Sequence, residues 1–352
     1  MWAMVVKEFQ ELRRDRRTMA MLIVLPLLLL VVFGYAANFN VSSIPTDVYG
    51  PGAQQVAGAL VAPFHVRTAD PGGSRQDAEN AVRDNKVDVA IVTGSSPPPT
   101  ALIDGSSLFS AQSAVSALNR LGGQVRVDVL YNPELKTSWV MVPALAGLIL
   151  TFIGVIVTSL GLVRERQEGT LEQLAVMPFR PFDVIAGKIA PYFLFATVDM
   201  VLVTVLGIVL FGVPFNGAIW VFALGALLFL LVLLGLGGLI SSLSQNAGQA
   251  IQLALFVMLP SIMFSGMIFP LAAMPWTVRW IGYVLPLTYF INISQGVMLR
   301  GAPFASLWLS FLVLAVYAPI VFGAAVLRLR RDLAPTIRET QARPDAKAAA
   351  PA

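Results

Sequence analysis

The chain predicts an all-α polytopic membrane protein of six transmembrane helices, with a small α/β extracytoplasmic domain inserted between the first two. Three observations carry this. Of 352 residues, 57% are hydrophobic and only 12% charged, with a mean hydropathy of +0.75; an ordinary soluble domain carries about twice that charged fraction. Charge-free runs long enough to cross a hydrocarbon layer of about 30 Å recur along the chain. One stretch, 39–136, departs from that composition and holds nine acidic and seven basic residues. The formal charge of +4 does not indicate nucleic-acid binding, because the basic residues gather at membrane edges. With no cysteine and the single histidine His65, a disulfide framework and a thiolate metal site are excluded and a histidine metal site is disfavoured.

Taken in order, residues 1–18 place Trp2, Val5, Val6, Phe9 and Leu12 on one stripe among charges, which suits a helix lying in the headgroup region. Residues 19–38 form the first span, too long for a signal-peptide core. Five basic residues precede it and set the amino terminus inside. In 39–136, strands are expected near 64–68, 87–92, 100–103 and 125–131, and helices near 52–61, 75–85 and 107–121. Asp104-Gly105-Ser106-Ser107 reads as a turn into a helix cap. The second span is 137–163, the third 189–212, the fourth 218–241 and the fifth 249–269. Gly235, Gly237 and Gly238 permit close packing of the fourth, and Pro260 interrupts the fifth. Residues 270–305 are apolar and aromatic but cut by four prolines. They predict two short helices dipping into the outer leaflet, with Trp276, Trp280, Tyr283 and Tyr289 at the interface. The last span is 306–327, and the cytoplasmic tail 328–352 reads as disordered. Excluding the large insertion, 15 basic residues fall on inner segments and 2 on outer ones, so both termini are expected in the cytoplasm.

The stretch 164–188 is the charged loop between the second and third spans. Leu171, Leu174 and Ala175 recur at helical spacing, Thr170 can cap a turn, and Pro178 and Pro181 end it. This run, ERQEGTLEQLAVMPFRPFDVIAGK, resembles the cytoplasmic loop of the ABC-2 family of transporter permeases, through Glu165, Gly169, Thr170, Leu171, Glu172, Leu174, Pro178, Gly187 and Lys188. Two further segments share the resemblance, Tyr131-Asn132-Pro133-Glu134 and Pro286-Leu287-Thr288-Tyr289-Phe290-Ile291. It implies an ABC-2, type V exporter-like fold in which 1–18 is an elbow helix. It also implies that 164–188 contains a coupling helix docked into a separate ATP-binding subunit, present in two copies beside a second permease copy, either identical or a similar paralogue. Glu165, Glu168, Gly169, Thr170, Leu171, Glu172 and Leu174 are the expected contacts.

No phosphate-binding G-x-x-x-x-G-K-[ST] loop is present, so no cofactor is expected on this chain, and ATP with its magnesium belongs to the partner. No catalytic constellation is legible, and the chain is not expected to be an enzyme. The resemblance implies a substrate path between the second and fifth spans of two copies, for which Phe152, Phe256, Met258, Met263 and Phe264 are candidates. Asp199 is the one carboxylate within a predicted span, near the midplane, where a charge is costly unless solvated or neutralised. The expected function is the permease of an ATP-driven exporter for an amphiphilic substrate such as a drug or lipid, in the bacterial inner membrane. The alternatives are a proton-coupled secondary transporter using Asp199 and a non-transporting membrane anchor or sensor.

Overall fold

The computed structural model of the chain describes residues 43–94, 98–120, 124–167 and 181–347. The expected elbow helix, the first span and the centre of the charged loop (168–180) lie outside the described residues.

Residues 44–130 build a mixed sheet with three helices. The strands are β1 (Ile44–Tyr49), β2 (Phe64–Asp70), β3 (Val89–Val92), β4 (Thr100–Asp104) and β5 (Arg126–Leu130), in the order β2-β1-β3-β4-β5. All neighbours run parallel except β3 and β4. Helices α1 (Ala53–Ala59), α2 (Arg75–Arg83) and α3 (Leu108–Asn119) connect them. Short apolar runs such as Val89-Ala90-Ile91 are almost fully enclosed, the pattern of strands covered on both faces. Ser74 and Asp77 close α2 with a reciprocal capping box, which satisfies two amides left open at a helix start. The turn Asp104–Ser107 enters α3 as expected, but the cap differs. Ser107 makes no side-chain cap bond; instead Asp104 Oδ1 accepts from the Ser106 amide (2.8 Å) and hydroxyl (2.6 Å).

The strand β1 has no counterpart in the sequence reading, yet it pairs with both β2 and β3. Its apolar alternation is broken by Thr46, which is fully buried with its hydroxyl donating to the Ile44 carbonyl.

Among the described residues, five helices are long and apolar enough to cross a membrane: Thr137–Gly161, Ala190–Phe211, Ile219–Leu243, Ala247–Phe264 and Phe304–Arg328. The first comprises α4 (Thr137–Phe152), a π turn (Ile153–Val157) and α5 (Thr158–Gln167). The others belong to α6 (Pro181–Phe211), α7 (Ile219–Leu243), α8 (Ala247–Phe264) and α11 (Phe304–Lys347). Two short helices, α9 (Trp276–Val284) and α10 (Pro286–Met298), occupy the proline-cut segment before α11. Helix α11 runs on to Lys347, into the segment 328–352.

Helix α7 is the axis of the bundle. A β-carbon on Gly237 would lie 2.8 Å from Thr158 Cβ and 2.9 Å from the Gly154 carbonyl oxygen, and one on Gly154 would lie 2.9 Å from Leu233 Cβ. The π turn and α7 therefore approach backbone to backbone, as small residues allow. Phe229 stacks on Phe290 of α10, centroids 4.5 Å apart and planes within 7°.

Candidate functional site

Three regions concern function: the end of α5 beside the charged loop, the exposed apolar surface of the helices, and a polar collar where the sheet unit meets the bundle.

Helix α5 carries the chain through Arg164 to Gln167, and the chain is next described from Pro181, where α6 begins. Glu165 lies on α5. Glu168, Gly169, Thr170, Leu171, Glu172 and Leu174 fall outside the described residues. Helices α5 and α6 both pack against the π turn and α7.

On the membrane surface, Leu145, Ile149 and Phe152 form an exposed stripe along α4, with Phe152 49% exposed. Helix α6 exposes apolar side chains at every turn, including Leu194, Phe195, Val198, Val205 and Val209. Phe256 and Met258 are half-buried on α8. Met263 and Phe264 are buried in a small cluster with Phe269, Met274 and Val278 beneath α9. Phe152 therefore stands on an open face, whereas Met263 and Phe264 pack beneath α9. Asp199 is half-buried on α6, and its Oδ2 has no hydrogen-bond partner; Thr158 Oγ1, Thr204 Oγ1 and Gln252 Oε1 share that condition within the spans.

The collar is a connected network of polar side chains between the sheet unit and the bundle. Tyr131, with φ of 66°, turns the chain out of β5. The fully buried Asn132 then staples the junction: its Nδ2 donates to the carbonyls of Gly105 (3.3 Å) and Lys136 (3.1 Å), and its Oδ1 accepts from the Lys136 amide (2.9 Å). Thr137 starts the second span one residue later. This gives the Tyr-Asn-Pro-Glu segment a structural role. The Pro-Leu-Thr-Tyr-Phe-Ile segment has one too. Pro286 opens α10, Thr288 Oγ1 donates to the Gly282 carbonyl (2.6 Å), and Leu287 and Phe290 seat on Gly147 of α4. Ser294 and Gln295 donate to the carbonyls of Pro143 and Val140 on the same helix.

Arg300, just beyond α10, reaches into the sheet unit. Its Nη1 donates to Ser106 Oγ (2.8 Å) and lies 3.7 Å from Asp104 Oδ2, with both charged side chains almost wholly enclosed. Its Nη2 donates to Asn292 Oδ1 (3.2 Å), and Asn292 donates to Ser310 on α11 (2.9 Å). Ser306 donates to Asp84 (2.7 Å). Burial pushes the Asp104 carboxyl above the usual carboxylate range, while the Arg300 charge and the Ser106 hydrogen bonds oppose that rise. In the sequence Arg300 is only one of two basic residues within 270–305. Its partner Ser106 is 194 residues away, so no local pattern could pair them.

Five apolar crossing helices and an apolar hairpin define a multi-pass membrane protein. The chain belongs to the ABC-2 family of transporter proteins, described as "ABC-2 family transporter protein", which matches residues 16–327. It is 29% identical over 370 residues to the "Probable multidrug ABC transporter permease YbhR" of Escherichia coli (strain K12), covering 95% of this chain and 99% of that protein. To the "Probable multidrug ABC transporter permease YbhS" of the same strain it is 29% identical over 367 residues, covering 94% of this chain and 97% of that protein. To the "Inner membrane transport permease YhhJ" of that strain it is 34% identical over 205 residues, 58% of this chain and 54% of the other. The chain is a transport subunit, the permease of an ABC system, and not itself an enzyme.

Proposed function

We propose that this permease exports an amphiphilic, drug-like or lipid-like substrate from the cytoplasm, driven by two copies of a separate ATP-binding subunit and paired with a second permease copy. Full-length similarity to relatives named as multidrug permeases is the observation that carries this reading. In it, residues 19–38 supply a sixth span, both termini lie inside, and the sheet unit lies outside, in the inner membrane of a bacterium. The sheet unit, the hairpin and the turn before α7 share one end of the bundle, since Asn85, Asn292, Asp84, Ser306, Asn216 and Met298 are hydrogen-bonded among them. That shared end supports a common outer side opposite the charged loop.

ATP binding brings the two nucleotide subunits together, and the loop 164–188 passes that movement into the second and third spans through Glu165, Glu168, Gly169, Thr170, Leu171, Glu172 and Leu174. The exposed apolar face of α4 around Phe152 then faces the substrate path with Phe256 and Asp199, while Met263 and Phe264 set the hairpin above it. The test is ATP-dependent export of an amphiphilic dye in reconstituted vesicles. Glu168→Lys combined with Glu172→Lys is expected to abolish export and substrate-stimulated ATP hydrolysis while the protein stays folded. Unchanged export and hydrolysis would refute the coupling role. Export that needs no ATP and follows an imposed proton gradient would favour proton coupling at Asp199 instead.

A further inference from the structure

We propose that the π turn Ile153–Val157 is a hinge in the second span, about which α5 swings against a fixed α4 when force arrives from the charged loop. The inference rests on the coupling reading above and names the place where the span bends. A π turn is closed by i→i+5 bonds and so holds one residue more than an α turn. Helices kink sharply at such turns, and a hinge needs only a few residues to absorb the change in backbone angles. This one lies within the span Thr137–Gly161, between α4 and α5.

The two sides of the turn are held by different means. On the sheet side, hydrogen bonds fix α4. Asn132 holds Lys136, the residue before its first turn, by two bonds. Gln295 Nε2 donates to the Val140 carbonyl (3.0 Å) and Ser294 Oγ to the Pro143 carbonyl (3.4 Å). Leu287 and Phe290 fill the space over Gly147. At the turn and on the loop side, the contacts run through small residues. A β-carbon on Gly237 would lie 2.9 Å from the Gly154 carbonyl oxygen and 3.1 Å from that of Val155, and Gly161 makes room for the Tyr192 hydroxyl of α6. Hydrogen bonds are directional and resist reorientation; apolar packing is not directional. A push on α5 therefore turns it about the Gly154–Gly237 contact while α4 stays with the collar.

Thr158 marks the same place independently. Thr151, Thr197, Ser244 and Ser261 each donate a hydroxyl to the carbonyl four residues back, at 2.7 Å. For Thr158 that carbonyl belongs to Gly154, inside the π turn, where it lies against Gly237. Thr158 is fully buried, yet its Oγ1 has no partner. The regular helical geometry is thus interrupted at the junction with α5, and a bend there breaks no bond of this hydroxyl.

Distances between paired spin labels test the hinge, in vesicles reconstituted with the ATP-binding subunit; the chain has no cysteine of its own. Leu145→Cys on α4 and Arg164→Cys on α5 put labels at exposed positions on either side of the turn. Their separation is expected to shift when a non-hydrolysable ATP analogue is added. The pair Leu145→Cys and Leu224→Cys, the latter exposed on α7, is expected to stay unchanged. Deleting Val157, an exposed residue of the turn, restores an unbroken α-helix and leaves each side facing as before. That variant is expected to keep its thermal midpoint and ATP hydrolysis but to lose both the shift and export. Should it fail to fold, the wild-type distances decide. Wild-type vesicles that export with ATP yet show no shift across the turn, an equal shift in the control pair, or a folded deletion variant that still exports would each overturn the hinge and leave the transport reading standing. Wild-type vesicles without ATP-dependent export would overturn the transport reading, and the hinge with it.

Discussion

Single side chains decide the most at the two places where a charge is removed from bulk water. Arg300 is the sharper case. Its guanidinium and Asp104 lie almost wholly enclosed, so truncating one partner strands the other. Arg300→Met is expected to lower stability by about 3–5 kcal/mol, the range for breaking a buried pair, read as a lower thermal midpoint in detergent; a midpoint equal to wild type would mean the pair is solvated. Asp199 is the second case. Asp199→Asn keeps the shape and removes the ionisable group, and assembly and ATP-driven export are expected to persist in reconstituted vesicles. Loss of export with assembly intact would assign Asp199 a titrating role in the path. The sequence made Asp199 conspicuous because a carboxylate in an apolar run stands out locally. It left Arg300 unremarkable because the partners that define it come from the sheet unit.

Whole elements followed the sequence where local pattern and burial agreed. Strands at Phe64–Asp70, Val89–Val92, Thr100–Asp104 and Arg126–Leu130 match apolar runs bounded by turn residues. The strand Ile44–Tyr49 did not stand out, because Pro45, Thr46 and Asp47 hide a buried strand behind polar letters; pairing on both sides overrides that composition. The π turn was equally silent, since an extra residue in a helical turn leaves no compositional mark, although such turns recur at functional positions. The glycines of α7 were legible, and the structure shows what they meet. Gly237→Val should force the fourth span off the π turn at an overpacking cost of about 1–3 kcal/mol, measured as a lower thermal midpoint and a broadened size-exclusion peak. Full retention of both would mean the two helices can part without cost.

At the scale of the molecule, the chain works as a lever only if force enters at one end of the bundle and an apolar surface changes at the other. The structure places helices α5 and α6 on either side of the charged loop, both against α7, and a polar collar at the far end that ties the sheet unit to the second and last spans. In the proposed mechanism, a push at the loop then tilts the spans between. The central claim is therefore that residues 164–188 face the cytoplasm and are gripped by a second protein. The chain has no cysteine, so a single Thr170→Cys can be labelled with a membrane-impermeant maleimide. The expected result is no labelling in intact spheroplasts, full labelling in inside-out vesicles, and protection in those vesicles once the ATP-binding subunit is added. Labelling from the outer side, or labelling that the ATP-binding subunit leaves unchanged, would contradict the account.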